Sequence, residues 1–225
     1  MPTREDELLT NAPTRVVTAS AAPLAIVPAC ERPDVSFVAV AYGTGPIIVE
    51  SIRSLVDSLS DSGVAYEYVV VDNAHPDVPS RTRNELLLST AGVVLLTPGS
   101  NLGFGGGCEH GALATSGDVL AFVNPDVFFE PGWIAPLSAR LDAEPDSIVA
   151  PVLLEPDGSV QEAGQIVYCD GSTGRLTERF PTANSPAAEY SSAACWLMRR
   201  DVHERVGGFD PAFHPAYFED VDFVR

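Results

Sequence analysis

The chain has 225 residues, 45% of them hydrophobic, which is enough to bury one sizeable α/β core and too apolar for a disordered protein. Its formal charge is −18 and all 13 basic residues are arginines, a balance that argues against nucleic acid as a partner. The absence of lysine also rules out a Walker-type phosphate loop.

Cysteines 30, 108, 169 and 195 form no C-x-x-C pair and are expected as reduced thiols. No apolar run approaches the roughly 20 residues of a membrane span. The acidic start, with Glu5, Asp6 and Glu7, is unlike a signal peptide. The expectation is a cytoplasmic protein whose membrane association, if it has one, is peripheral at the inner face.

Residues 1 to 33, rich in Ala, Pro and Thr, read as a flexible tail. Val35–Ala41 is a β-branched run of strand length, and Pro46 opens a helix with Ile48, Ile52, Leu55, Val56 and Leu59 on one face. Glu67–Val71 is a second strand, Ser80–Ser89 a helix and Val93–Leu96 a third strand. A glycine-rich segment over 99–107 leads into a helix to Thr115, then the strand Val119–Val123. Strands with so little polar alternation, separated by helix-length segments, predict a mostly parallel central sheet with helices on both faces. After Pro131 the pattern loosens. Glu155–Gly158 reads as a turn, 170–187 as a long polar loop, Ala193–Met198 as a strand, and Arg200–Val206 as a helix capped by Gly207.

Ligands of such sheets bind at the carboxyl ends of the strands. The acidic turns Asp72-Asn73 and Asn124-Pro125-Asp126 fall there. Asp126 could hold a divalent cation on a diphosphate, or be an ordinary turn residue. Asn101–Gly107 could let the backbone approach a ligand closely, or be a flexible loop. The run Glu219-Asp220-Val221-Asp222 could supply a general base, or be an acidic helix start. His214 is near enough to that run to be a candidate ligand or acceptor contact.

The order of these features resembles one family. VSFVAVAY, VVVDN, NLGFGGG, GDVLAFVNPD and GGFDPAFHPAYFEDVD, taken together, resemble the family 2 glycosyltransferases of the GT-A (nucleotide-diphospho-sugar transferase) fold, especially rhamnosyl- and galactofuranosyltransferase-like members. The resemblance implies a GT-A domain over 34–225 and inverting transfer from a dTDP- or UDP-sugar, such as dTDP-rhamnose, to a glycan or lipid-linked acceptor. It implies donor contacts at Ala41, Tyr42, Asp72, Asn101, Gly103, Phe104, Asn124 and Asp126. It also implies Mg2+ or Mn2+ at Asp126 and a catalytic base at Asp220, kept charged by donor and metal binding; Glu219 and His214 are lesser candidates.

Three departures stand out. Gly43 replaces the family's Asn after the first strand, and Glu109 replaces an Asn, which is expected to place negative charge near the diphosphate. The chain ends at Arg225, so the helices that follow the E-D motif in relatives are expected to be lacking. The competing readings are a non-catalytic nucleotide-sugar-binding or scaffold domain and a sugar-1-phosphate nucleotidyltransferase.

Overall fold

The computed structural model describes residues 14–16, 23–78, 81–178 and 185–225. Residues 1–13 and 17–22 of the expected tail, Ser80 of the expected helix, and 179–184 of the expected loop lie outside the described residues.

In chain order the structure begins with β1 (Thr14–Val16), β2 (Ala25–Ile26), β3 (Val35–Ala41), α1 (Ile47–Leu59) and β4 (Tyr66–Asp72). Then come α2 (Arg81–Ser89), β5 (Thr90–Ala91), β6 (Val94–Leu96), α3 (Gly103–Leu113), β7 (Val119–Val123) and α4 (Ile134–Ala143). Two small hairpins follow, β8 (Leu153–Leu154) with β9 (Val160–Glu162) and β10 (Gln165–Val167) with β11 (Thr173–Arg175). The last elements are β12 (Cys195–Arg199), α5 (Arg200–Val206), a 3-10 turn at Pro211–Phe213, and α6 (Glu219–Val224).

Six strands form the central sheet in the order β1-β6-β4-β3-β7-β12. The inner four run parallel, and β1 and β12 pair antiparallel at the two edges. All seven residues of β3 are buried, and its successive side chains serve two different cores. Phe37, Ala39 and Ala41 pack into a layer with Ile48, Ile52 and Leu55 of α1. Val38 and Val40 pack into the opposite layer with Cys108 and Ala112 of α3 and with Trp196 and Phe209. Covering both faces is what removes polar alternation from the strand sequences.

The glycines of α3 make that second layer thin. A Cβ on Gly107 would stand 2.7 Å from Val40 Cγ1, and one on Gly111 2.3 Å from Val38 Cγ1. Side chains there would push the helix off the sheet. The glycine-rich segment is mostly helix, beginning at Gly103, where the sequence left a close backbone approach to a ligand and a flexible loop both open.

Part of the segment expected as a tail belongs to the fold. Thr14–Val16 pairs with Val94–Leu96, Ala25–Ile26 pairs with Thr90–Ala91, and Ala25 and Val27 are buried. Within the expected loop after 170, β11 forms a hairpin with β10, and α4 appears in a stretch where no helix was expected. Among the described residues no helix is long and apolar enough to cross a membrane.

Candidate functional site

Because β3, β4, β6 and β7 are parallel, Tyr42, the Asp72-Asn73 turn, the 97–102 segment and the Asn124–Asp126 turn all leave the sheet at the carboxyl ends of its strands. Asp72 is buried beside Ala41, its register partner, and the Asn73 N–H donates to the Ala41 carbonyl at 2.7 Å. Tyr42 is exposed and lies over His75, ring centroids 4.4 Å apart. Gly43 has φ +64°, and a Cβ there would meet the His75 ring at 2.7 Å. That φ and the neighbouring ring both favour glycine at this position.

Asn73 joins this corner to the glycine-rich segment. Its Oδ1 accepts the Leu102 N–H at 2.7 Å, and its Nδ2 donates to the Gly103 carbonyl at 2.9 Å. Asn101 Oδ1 accepts the Gly103 N–H at 2.9 Å, while Phe104 N–H donates to the Pro215 carbonyl at 2.8 Å. Gly103 has φ +75°, and a Cβ on it would be 2.6 Å from that carbonyl oxygen. The loop before α3 is thus held from both sides. His214 belongs to this corner too: its Nε2 is 3.2 Å from the Asn101 carbonyl oxygen, and it is not among the residues lining the cleft beside Asp220.

That cleft has a volume of about 1290 Å³, and Phe104, Asn124, Asp126, Glu219 and Asp220 all line it. Asp126 is exposed just beyond β7, where α1 braces the chain after it: Ser51 Oγ donates to the Val127 carbonyl at 2.6 Å and Ser54 Oγ accepts the Phe129 N–H at 3.1 Å. Asp220 sits in the first turn of α6. Burial pushes its carboxyl above the usual aspartate range, against which the N–H groups of Val221 and Ala193 pull it down. Glu219 is also raised, by burial first and by its neighbour Asp220, and its Oε2 is buried without a hydrogen-bond partner among the described residues. Tyr217 and Phe218, which lead into this turn, hold φ of 83° and 69°, a costly conformation for aromatic residues that aims them outward at the rim.

Ala41, Tyr42, Asp72, Asn101 and Gly103 are not part of the cleft lining; they form the adjoining corner that Asn73 ties together. The expectation for Glu109 is corrected. It points away from the cleft, where its Oε1 is 2.9 Å from His203 Nε2 and accepts the Phe209 N–H at 2.9 Å. It braces α3 against α5, and one ground for reading the chain as non-catalytic goes with that correction.

Two groups of functional interest escape a reading of the sequence: the Asn73 clamp, and a polar wall of Glu162, Gln165, Tyr190 and Ser192 within the cleft. Neither forms a pattern, because the bonds that join Asn73 to 102–103 and Glu162 and Gln165 to 190–192 span 25 to 30 residues.

Among the described residues no three His, Cys, Asp or Glu side chains gather into a metal cage. Asp126 is a single open carboxylate. That donor set suits a hard cation taking its remaining oxygens from a bound diphosphate, and does not suit a closed structural site.

Comparison with known proteins agrees with this architecture. A mycobacterial N-acetylglucosaminyl-diphospho-decaprenol L-rhamnosyltransferase (Mycobacterium tuberculosis) is 28% identical over 214 residues, covering 82% of this chain and 67% of its own. The O-antigen biosynthesis protein RfbC of Myxococcus xanthus is 32% identical over 113 residues, 45% of this chain and only 9% of that protein. Among solved structures, GalNAc-T7 with UDP, GalNAc and Mn2+ superposes with a TM-score of 0.67 at 16% identity, over 86% of this chain and 40% of that one. The mannosyltransferase PcManGT from Pyrobaculum calidifontis, in complex with GDP-Man and Mn2+, gives 0.55 at 16% identity over 98% and 56%. The chain thus spans about half or less of these two enzymes, and they speak for its fold alone. The model of the glycosyl transferase family 2 matches residues 36–207, from the first core strand to the cap of α5. With that match over most of its length and a GT-A fold, the chain belongs to glycosyl transferase family 2.

Proposed function

We propose that the chain transfers a sugar, with inversion, from a dTDP- or UDP-linked sugar to a hydroxyl of a glycan or lipid-linked acceptor. The observation that carries this reading is that Asp126 and Asp220 line one cleft. In it, Asp220 takes the proton of the acceptor hydroxyl while that oxygen bonds to the anomeric carbon and the bond from the carbon to the diphosphate breaks. A carboxylate held in partly buried surroundings is the stronger base once ionised, and the Val221 N–H, 2.9 Å from Oδ1, steadies it in place.

Asp126 would hold Mg2+ or Mn2+, which when bound offsets the charge gathering on the leaving diphosphate. This chain has particular use for such a cation: six carboxylates and one arginine, Arg175, line the cleft, so an anionic donor meets mainly negative charge. Asp72, with Ala41 and Tyr42, would contact the nucleotide, and the clamped 101–104 loop, with Asn124, the sugar-diphosphate.

Similarity to the mycobacterial L-rhamnosyltransferase supports rhamnose as the sugar and an acceptor on a polyprenyl diphosphate; dTDP as its carrier and envelope polysaccharide assembly at the cytoplasmic membrane face belong to the same proposal. The exposed Phe128, Val152, Tyr217 and Phe218 at the rim of the cleft suit an acceptor with an apolar portion.

The test is release of nucleoside diphosphate from dTDP-rhamnose and a panel of UDP-sugars, with N-acetylglucosaminyl-diphospho-polyprenol as acceptor. Acceptor-dependent release that Asp220→Asn abolishes is the expected result. Full turnover in that variant would move the base elsewhere, and no release from any donor would defeat the proposal.

A further inference from the structure

Glu162 ends β9, lines the cleft, and is 3% exposed. A carboxylate buried to that depth is costly unless its lone pairs meet donors. Here four donors converge. Oε1 accepts the Ser192 N–H at 2.8 Å and the Ser191 hydroxyl at 3.2 Å; Oε2 accepts the Gln165 amide at 2.9 Å and the Ser192 hydroxyl at 3.0 Å. The Gln165 amide is itself oriented by Tyr190, whose hydroxyl donates to Gln165 Oε1 at 2.8 Å.

Three of these four donors come from Ser191 and Ser192, directly before two residues that reach the expected reacting groups. Ala193 lines the cleft together with Asp220, and the Ala194 carbonyl accepts the Asn124 N–H at 2.8 Å. Asn124 in turn opens the turn that bears Asp126. Replacing a buried charge by a well-packed apolar side chain is often neutral or stabilising, so stability alone does not call for an acid at this position.

We propose that Glu162 is a positioning residue: it fixes the 191–194 segment, which holds the Asp126 turn through Asn124 and forms the cleft wall beside Asp220. This inference rests on the reading of Asp220 as base and Asp126 as metal carboxylate. Three titratable groups face Asp220: Glu219 from its own turn, Glu162 from β9, and Tyr190 from the segment before β12, with Arg175 of β11 beside Tyr190.

NMR of the full chain, labelled at aspartate carboxyl carbons and at backbone amides, tests this without a known donor. In the wild type, the Ala193 amide signal is expected to move across the same pH range as the Asp220 carboxyl. In Glu162→Gln the Ser192 and Ala193 amides should shift and the Asp220 titration should move to lower pH, because a negative neighbour is lost. An Ala193 amide that ignores the Asp220 titration, or a Glu162→Gln chain in which both are unchanged, overturns the proposal. If that variant fails to fold, Ser192→Ala, which deletes one of the four donors to Glu162, is read the same way: an unmoved Ala193 amide overturns the proposal. Turnover retained in Asp220→Asn would remove the base assignment while leaving the coupling intact, so the two readings fail separately.

Discussion

Asn73→Ala is the most informative single perturbation of the fold, because one side chain holds the corner at which β4 meets the segment before α3. Asn73 is 2% exposed, and the substitution deletes the bonds to Leu102 N–H and the Gly103 carbonyl. A hydrogen bond is worth about 1 kcal/mol net, and each group left stranded costs about 1–3 kcal/mol. Two stranded groups put the loss at about 2–6 kcal/mol, a large part of a typical total of about 5–15 kcal/mol. Asn73→Asp keeps an acceptor for Leu102 N–H but turns a second acceptor on the Gly103 carbonyl, so it should lose about half as much or more. The assay is urea unfolding followed by fluorescence of Trp133 and Trp196, which pack in the two different core layers. With a slope of about 2–3 kcal/mol per M, the Asn73→Ala midpoint should fall by about 1–2 M. A loss under about 0.5 kcal/mol, the range of unremarkable surface changes, would refute the clamp.

The remaining predictions concern packing, charge and pH. Gly107→Ala and Gly111→Ala should each destabilise by about 1–3 kcal/mol through overpacking against Val40 and Val38. Gly99→Ala, with open space around it, should be nearly silent in the same unfolding assay. Glu109→Gln should cost about 1–3 kcal/mol by weakening the bonds to His203 and Phe209, yet leave UDP affinity measured with Mn2+ unchanged. Weakened nucleotide binding there would restore Glu109 to the pocket. Asp220 has a raised pKa in the folded state, so the unfolded chain ionises first and stability is lost as pH rises through the folded value. Asp220→Asn should therefore match the wild type at about pH 3 and become the more stable protein toward neutrality. A stability difference that does not change with pH would contradict the burial of that carboxyl.

The parallel core and its order of elements are legible in the sequence because β3, β4 and β7 are buried on both faces and carry long apolar runs. The short edge strands are not. Thr14–Val16 and Ala25–Ile26 are two or three residues long, and their pairing partners lie more than 60 residues away. α4 is obscured by Pro136, which stands in the first turn, where a missing N–H costs little. In the site, Asp126 and Asp220 stand out because each sits in a short motif whose order along the chain carries meaning. Asn73 and Glu162 do not, since their roles come from partners that only folding brings near. Glu109 was misread for a related reason: its position on α3 is visible in the sequence, but the face it presents depends on where α5 packs.

The central claim is that Asp126 and Asp220 divide one cleft between a metal-diphosphate end and a base. Calorimetry of UDP and dTDP, with and without Mn2+, tests it most directly in the wild type, Asp126→Ala and Asp220→Asn. Binding is expected to need Mn2+ in the wild type, to be lost in Asp126→Ala, and to be kept in Asp220→Asn. Equal affinity with and without the metal, or Mn2+-dependent binding untouched in Asp126→Ala, would contradict it.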